Sequence, residues 1–151
     1  MKKNRKAIIP AAALLALTLA FIWGNSLLSI PESQSESLWI LDLLTPLLDR
    51  VFGPEVVTDH ILRKTAHFCE FALLGAELRL LFRLLGQKGL QGQANALFAA
   101  LAAAVADESL QLLSARGSQV QDVLLDFSGA FTGALLMLLI LLCAHRRRRN
   151  T

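Results

Sequence analysis

An all-α polytopic membrane bundle of about four transmembrane helices, with one further helix on its outer interface, is the fold this sequence predicts. Three observations carry that prediction. First, 54% of the 151 residues are hydrophobic and 18% charged, with a mean hydropathy of +0.51, whereas soluble domains run at about 45–50% apolar and about 25% charged. Second, the excess gathers into four blocks, each about 20 residues long, the length that crosses a bilayer core as a helix. Third, basic residues flank those blocks, as membrane anchors do. A soluble enzyme and a disordered tail are excluded, and so is a β-barrel, whose strands alternate apolar and polar residues over about ten positions. The length suits a single membrane domain over residues 1–151. The net charge of +3 sits at membrane flanks and predicts lipid contact, with no nucleic-acid partner.

The first span covers residues 7–28, contains no charge, and follows Lys2, Lys3, Arg5 and Lys6. A basic stretch followed by an apolar one also describes a signal peptide. The run is long for a signal, however, and no clean small-x-small cleavage site follows it, so retention as a helix is the expectation. The second span, 61–85, is interrupted by His67, Glu70, Glu77 and Arg79. The third, 94–114, is alanine-rich and carries Asp107, Glu108 and Gln111 late. The fourth, 122–144, carries Asp126 early and ends at His145 and a run of arginines.

Between the first two spans, residues 30–59 crowd leucines around Asp42, Asp49 and Arg50, with Pro46 in the middle. This segment is too charged to span, and reads as a broken amphipathic helix lying on the interface with Trp39 at headgroup level. Either it packs on the bundle as a lid, the favoured reading, or it admits a lipid-like ligand sideways. Lys and Arg cluster at the N-terminus, in the loop around Arg83 and Lys88, and at the C-terminus. The positive-inside rule therefore puts both termini in the cytoplasm. Cys69 and Cys143 fall a membrane thickness apart and cannot pair within one chain.

Ionisable groups inside a bilayer are costly and mark functional sites by default. Here their depth is the informative feature. Lys64, His67 and Glu70 begin the second span, Asp107, Glu108 and Gln111 end the third, Arg116 lies in the outer turn, and Asp122 and Asp126 begin the fourth. All gather near the outer leaflet. At about 100° per residue, Lys64, His67 and Glu70 span an arc of about 120°, and Asp122, Asp126, Gly129 and Gly133 a stripe of about 60°. Each charged face should turn inward, giving one shared polar pocket open to the outside. Gly129 and Gly133 form a G-x-x-x-G pattern that admits a close helix neighbour below it.

The stretch from Lys64 through His67, Phe68, Glu70, Phe71 and Leu74 to Gly75 resembles the K-x-x-H-F-x-E-[YF]-x-x-L-G motif of VanZ-like membrane proteins. Asp107, Glu108 and Gln111 resemble that family's D-E-x-x-Q motif, and Arg116, Asp122, Val123, Asp126, Gly129 and Gly133 its closing segment. Phe71 stands where Tyr is usual, and Asp126 where Asn is usual. The ordered set covers essentially the whole domain. The resemblance implies a small bacterial inner-membrane protein of a family named for low-level resistance to the glycopeptide teicoplanin. Its helix-packing glycines would be Gly75, Gly129 and Gly133.

Several chemistries fit the polar residues. His67, Glu70 and Glu108 are the candidate catalytic groups: His67 would carry a proton and a glutamate would act as base, so that water attacks a lipid or peptidoglycan precursor. Lys64, Asp107, Gln111, Arg116, Asp122 and Asp126 are the candidate ligand-binding groups, with Lys64 and Arg116 holding an anion. In a binding module, the same groups would receive a lipid-linked wall precursor or a lipophilic glycopeptide. In a purely structural reading, the charges pair and hold the helices in register. His67 with Glu70 and Asp107 or Glu108 could ligate Zn²⁺ or Mn²⁺, but a single histidine is a thin set, and no metal and no cofactor is expected. Binding is favoured narrowly over catalysis, and turnover of a precursor discriminates the two. Oligomeric state is left open. Glu77, Arg79 and Arg83 read as structural, with both arginines reaching for the cytoplasmic surface.

Overall fold

The computed structural model describes residues 2–28, 30–53, 56–113 and 119–149. Among them are five helices and no strand: α1 (Lys2–Leu27), α2 (Ile30–Phe52), α3 (Asp59–Leu84), α4 (Gly89–Leu113) and α5 (Val120–Arg149). Three are long and apolar enough to cross a membrane, over Arg5–Leu27, Gly89–Leu113 and Val120–Arg147. This is an all-helical membrane protein. α3 has the length, at 26 residues, but its ionisable groups lower its hydropathy. It packs against α1, α4 and α5, so its polar face is enclosed by the three apolar helices.

The bundle is apolar outside and small or polar inside. Leu17, Phe21, Phe98, Leu112, Leu124 and Ile140 are exposed, while Ala96, Ala100, Ala103, Ala104, Ala130 and Ala134 are buried. In lipid, association gains little from burying leucine, and small residues let backbones approach. The core joins Ala96, Ala100, Ala103, Ala104 and Ala130 to Ile22, Phe71, Leu74 and Leu78.

The closest approach is between α3 and α5. A Cβ added at Gly133 would overlap the Ala72 carbonyl, one at Gly129 the Phe68 carbonyl, and one at Gly75 the backbone of Ala130. The pairs Phe68–Gly129 and Ala72–Gly133 advance together along both helices, so α3 and α5 run parallel. α1 and α4 run opposite to them: His67 lies by Asp107 and Arg79 by Gly92, while Ser26 meets Asp107 and Thr18 meets Glu77.

Thr58 caps α3, its side chain accepting from the Ile61 N–H at 3.4 Å. α2 differs from the broken helix expected at Pro46, since one helix runs through that residue. Pro46 forfeits the bond to the Asp42 carbonyl and its ring crowds that carbonyl, a cost of about 3 kcal/mol or more that α2 absorbs without ending. Trp39, Leu43, Leu47 and Val51 of α2 are exposed, and the helix packs chiefly on α3. Both cysteines are free and exposed.

Candidate functional site

The starts of α3 and α5 and the end of α4 meet at one end of the bundle, and most of the polar residues singled out by the sequence meet there. Asp107 of α4 is its centre and is 0% exposed. Its Oδ1 accepts from Ser26 Oγ of α1 at 2.6 Å, and its Oδ2 accepts from Gln111 Nε2 one turn along α4 at 3.0 Å. His67 of α3 points its Nδ1 between two carboxylates, 4.0 Å from Asp107 Oδ2 and 3.7 Å from Asp126 Oδ1. Asp126 of α5 is 1% exposed, and neither of its oxygens has a hydrogen-bond partner. Glu70, one turn below His67, is within electrostatic reach of Asp107.

Two expected site residues have other neighbours. Glu108 is buried, and its Oε2 accepts from the Gln119 N–H at 3.1 Å, where α5 begins. A carboxylate there satisfies a backbone donor that the helix leaves unpaired and complements its dipole. Asp122 pairs with Lys64, its Oδ1 lying 3.0 Å from Nζ, with both side chains about a third exposed or less. One turn of α5 separates this outer pair from the Asp126 layer. Arg116 falls outside the described residues.

A groove of about 380 Å³ opens beside the outer pair, lined by His60, Ile61, Lys64, Thr65, Phe68 and Leu125. Lys64 thus faces both Asp122 and this groove, while Asp107, Glu108, Gln111 and Asp126 are packed beneath the surface. The arrangement is a buried polar layer under a mostly apolar groove.

Ser26 went unnoticed in the sequence because a single hydroxyl barely lowers hydropathy. The available signal was its place near the end of the first span, at the depth of the acidic residues. Thr18 is a parallel case. It donates to Glu77 Oε1 at 3.0 Å, deeper in the bundle. Near it Arg79 departs from expectation: it is 2% exposed, and its Nε and Nη1 have no hydrogen-bond partner. Gly92 explains why the side chain stays inside. A Cβ there would lie 3.3 Å from Arg79 Nη1, so the missing side chain on α4 leaves room for the guanidinium.

Nothing among the curated proteins or the solved structures matches the chain. The sequence model described as VanZ/LLP1 matches residues 7–141. That match takes in the first three apolar blocks, all but the last three residues of the fourth, the groove and the buried polar layer, and the chain belongs to the VanZ/LLP1 family.

Proposed function

We propose that this VanZ/LLP1 protein lies in the bacterial inner membrane with both termini cytoplasmic, and binds an anionic, lipid-linked envelope component or a lipophilic glycopeptide at its outer end. Through that binding it contributes to glycopeptide resistance. The observation that carries the reading is the groove beside Lys64. Ile61, Phe68 and Leu125 suit an isoprenoid or acyl chain, and Lys64 with His60 suits a phosphate or carboxylate head. An apolar cleft with a few polar groups at one rim is the usual form of a small-ligand site. The exposed apolar face of α2 supports a place at the interface.

The ligand's anionic head competes with Asp122 for Lys64, which makes the reading testable in opposite directions. With full-length protein in nanodiscs and a labelled lipid-linked wall precursor, Lys64→Gln should weaken binding about tenfold, equivalent to about 1.4 kcal/mol. Asp122→Asn should leave binding equal or stronger. Wild-type protein that binds no precursor, or a Lys64→Gln variant that binds it as well as wild type, overturns the reading.

The orientation has its own test. A reporter fused after Thr151 should be active on the cytoplasmic side, and one inserted near Glu36 on the outer side. The reverse pattern would put the Lys64 end, and the groove with it, in the cytoplasm.

A further inference from the structure

We infer that His67, Asp107 and Asp126 form a binding site for a divalent transition-metal ion, Zn²⁺ or Mn²⁺. One ligand atom from each residue lies within 4.8 Å of the other two, and the three residues come from three different helices. His67 Nδ1 stands 3.7 Å from Asp126 Oδ1 and 4.0 Å from Asp107 Oδ2. Both separations exceed hydrogen-bond length. Bonds of about 2.0–2.2 Å set neighbouring ligands of one ion about 3–3.6 Å apart, so side-chain shifts of about 1 Å or less would close the three groups on an ion.

Asp126 supplies the independent observation. It is buried to 1% exposure, aimed at His67 and Asp107, and neither of its oxygens has a hydrogen-bond partner. A buried carboxylate is normally hydrogen-bonded or paired. Lys64, the nearby cation, is engaged with Asp122. Two ionised carboxylates in so small a space inside a helical bundle repel each other, and a divalent ion ligated by both offsets that repulsion.

The surroundings resemble the outer shell of a metal centre. Ser26 and Gln111 both donate to Asp107, and such bonds fix a ligating carboxylate in place. His67 is a quarter exposed while both aspartates are buried, so an ion has a route in past the imidazole. Three protein ligands leave a coordination position open, as in sites that bind a further small ligand or water. One imidazole nitrogen with two carboxylate oxygens suits Zn²⁺ and Mn²⁺. The site depends on no lipid ligand and is separate from the groove.

The test uses full-length protein in detergent, with Cys69 and Cys143 replaced by serine and traces of metal removed by chelator. Titration with Zn²⁺ should show one equivalent bound per chain. His67→Gln and Asp126→Asn should each weaken it at least about tenfold, and Asp42→Asn, at an exposed position of α2, should leave it within about twofold. A second measurement avoids the risk that a variant misfolds: Mn²⁺ bound to the unsubstituted site, in protein labelled with ¹⁵N-histidine, should show hyperfine coupling to one histidine nitrogen by pulsed EPR. The inference is overturned by the lack of a stoichiometric site, by equal affinity in folded His67→Gln and Asp126→Asn variants, or by bound Mn²⁺ without histidine coupling.

Discussion

Replacing Gly133 by leucine is expected to remove most folded protein from the membrane fraction and to lower the melting temperature further than any single substitution in the polar layer. The cause is backbone geometry. At Gly133 a Cβ alone would overlap the Ala72 carbonyl, and a carbonyl on a rigid helix cannot swing away as a side-chain tip can. The helices must separate, and separation strips the packing that Gly129 and Gly75 make along the same seam. Overpacking a core costs about 1–3 kcal/mol, and a clash with backbone belongs at the upper end or above. His67→Gln is the contrast. His67 has no hydrogen bond to either aspartate at 3.7 and 4.0 Å, and glutamine keeps polarity and approximate size. Compared by thermal unfolding in detergent with chelator present, His67→Gln should melt near wild type, while in cells it should impair the resistance or ligand response. If it unfolds as badly as Gly133→Leu, the histidine is part of the scaffold. If it alters neither stability nor phenotype, Lys64 and the groove carry the function without it.

The apolar blocks were legible because in a bilayer hydropathy and length act almost alone; α1, α4 and α5 overlap the three expected segments, with three ends within two residues and the other three helix ends reaching five residues beyond them. The G-x-x-x-G seam was legible for a similar reason, since close approach needs glycine whatever the partner. Contacts between helices were less so. Asp122 and Asp126 share a narrow stripe on a helical projection, yet one turn of rise sends the first to Lys64 and the second to His67. Projection angles hold no axial information. Glu108 neighbours Asp107 in the chain, but its carboxylate turns to the Gln119 N–H at the start of α5, a donor on another helix that no local pattern marks. Ser26 and Thr18 pass through hydropathy unmarked. Arg79 was expected at the surface because long basic side chains commonly reach it, and the space left by Gly92 on another helix explains its burial. That pairing belongs to no local pattern.

Asp107 is the residue where substitution should separate shape from charge. It accepts hydrogen bonds from Ser26 and Gln111 while fully buried, so it ties α1 to α4. Asp107→Ala removes the acceptor for both donors and leaves a small void, with an expected loss of about 1–3 kcal/mol. Asp107→Asn keeps one carbonyl oxygen, which can still accept from Ser26 or Gln111. It also removes a charge from a site where desolvation opposes charge. In the absence of metal, therefore, Asp107→Asn should melt well above Asp107→Ala, at or near the wild-type temperature. Ser26→Ala should resemble a mild form of Asp107→Ala, and the double variant Ser26→Ala/Asp107→Ala should melt close to Asp107→Ala alone, because the two share one bond. Additive losses in that double variant would show that Ser26 stabilises the bundle independently of Asp107. Equal melting of the asparagine and alanine variants, both well below wild type, would show that the carboxylate's charge, rather than its hydrogen bonds, is what holds α1 against α4.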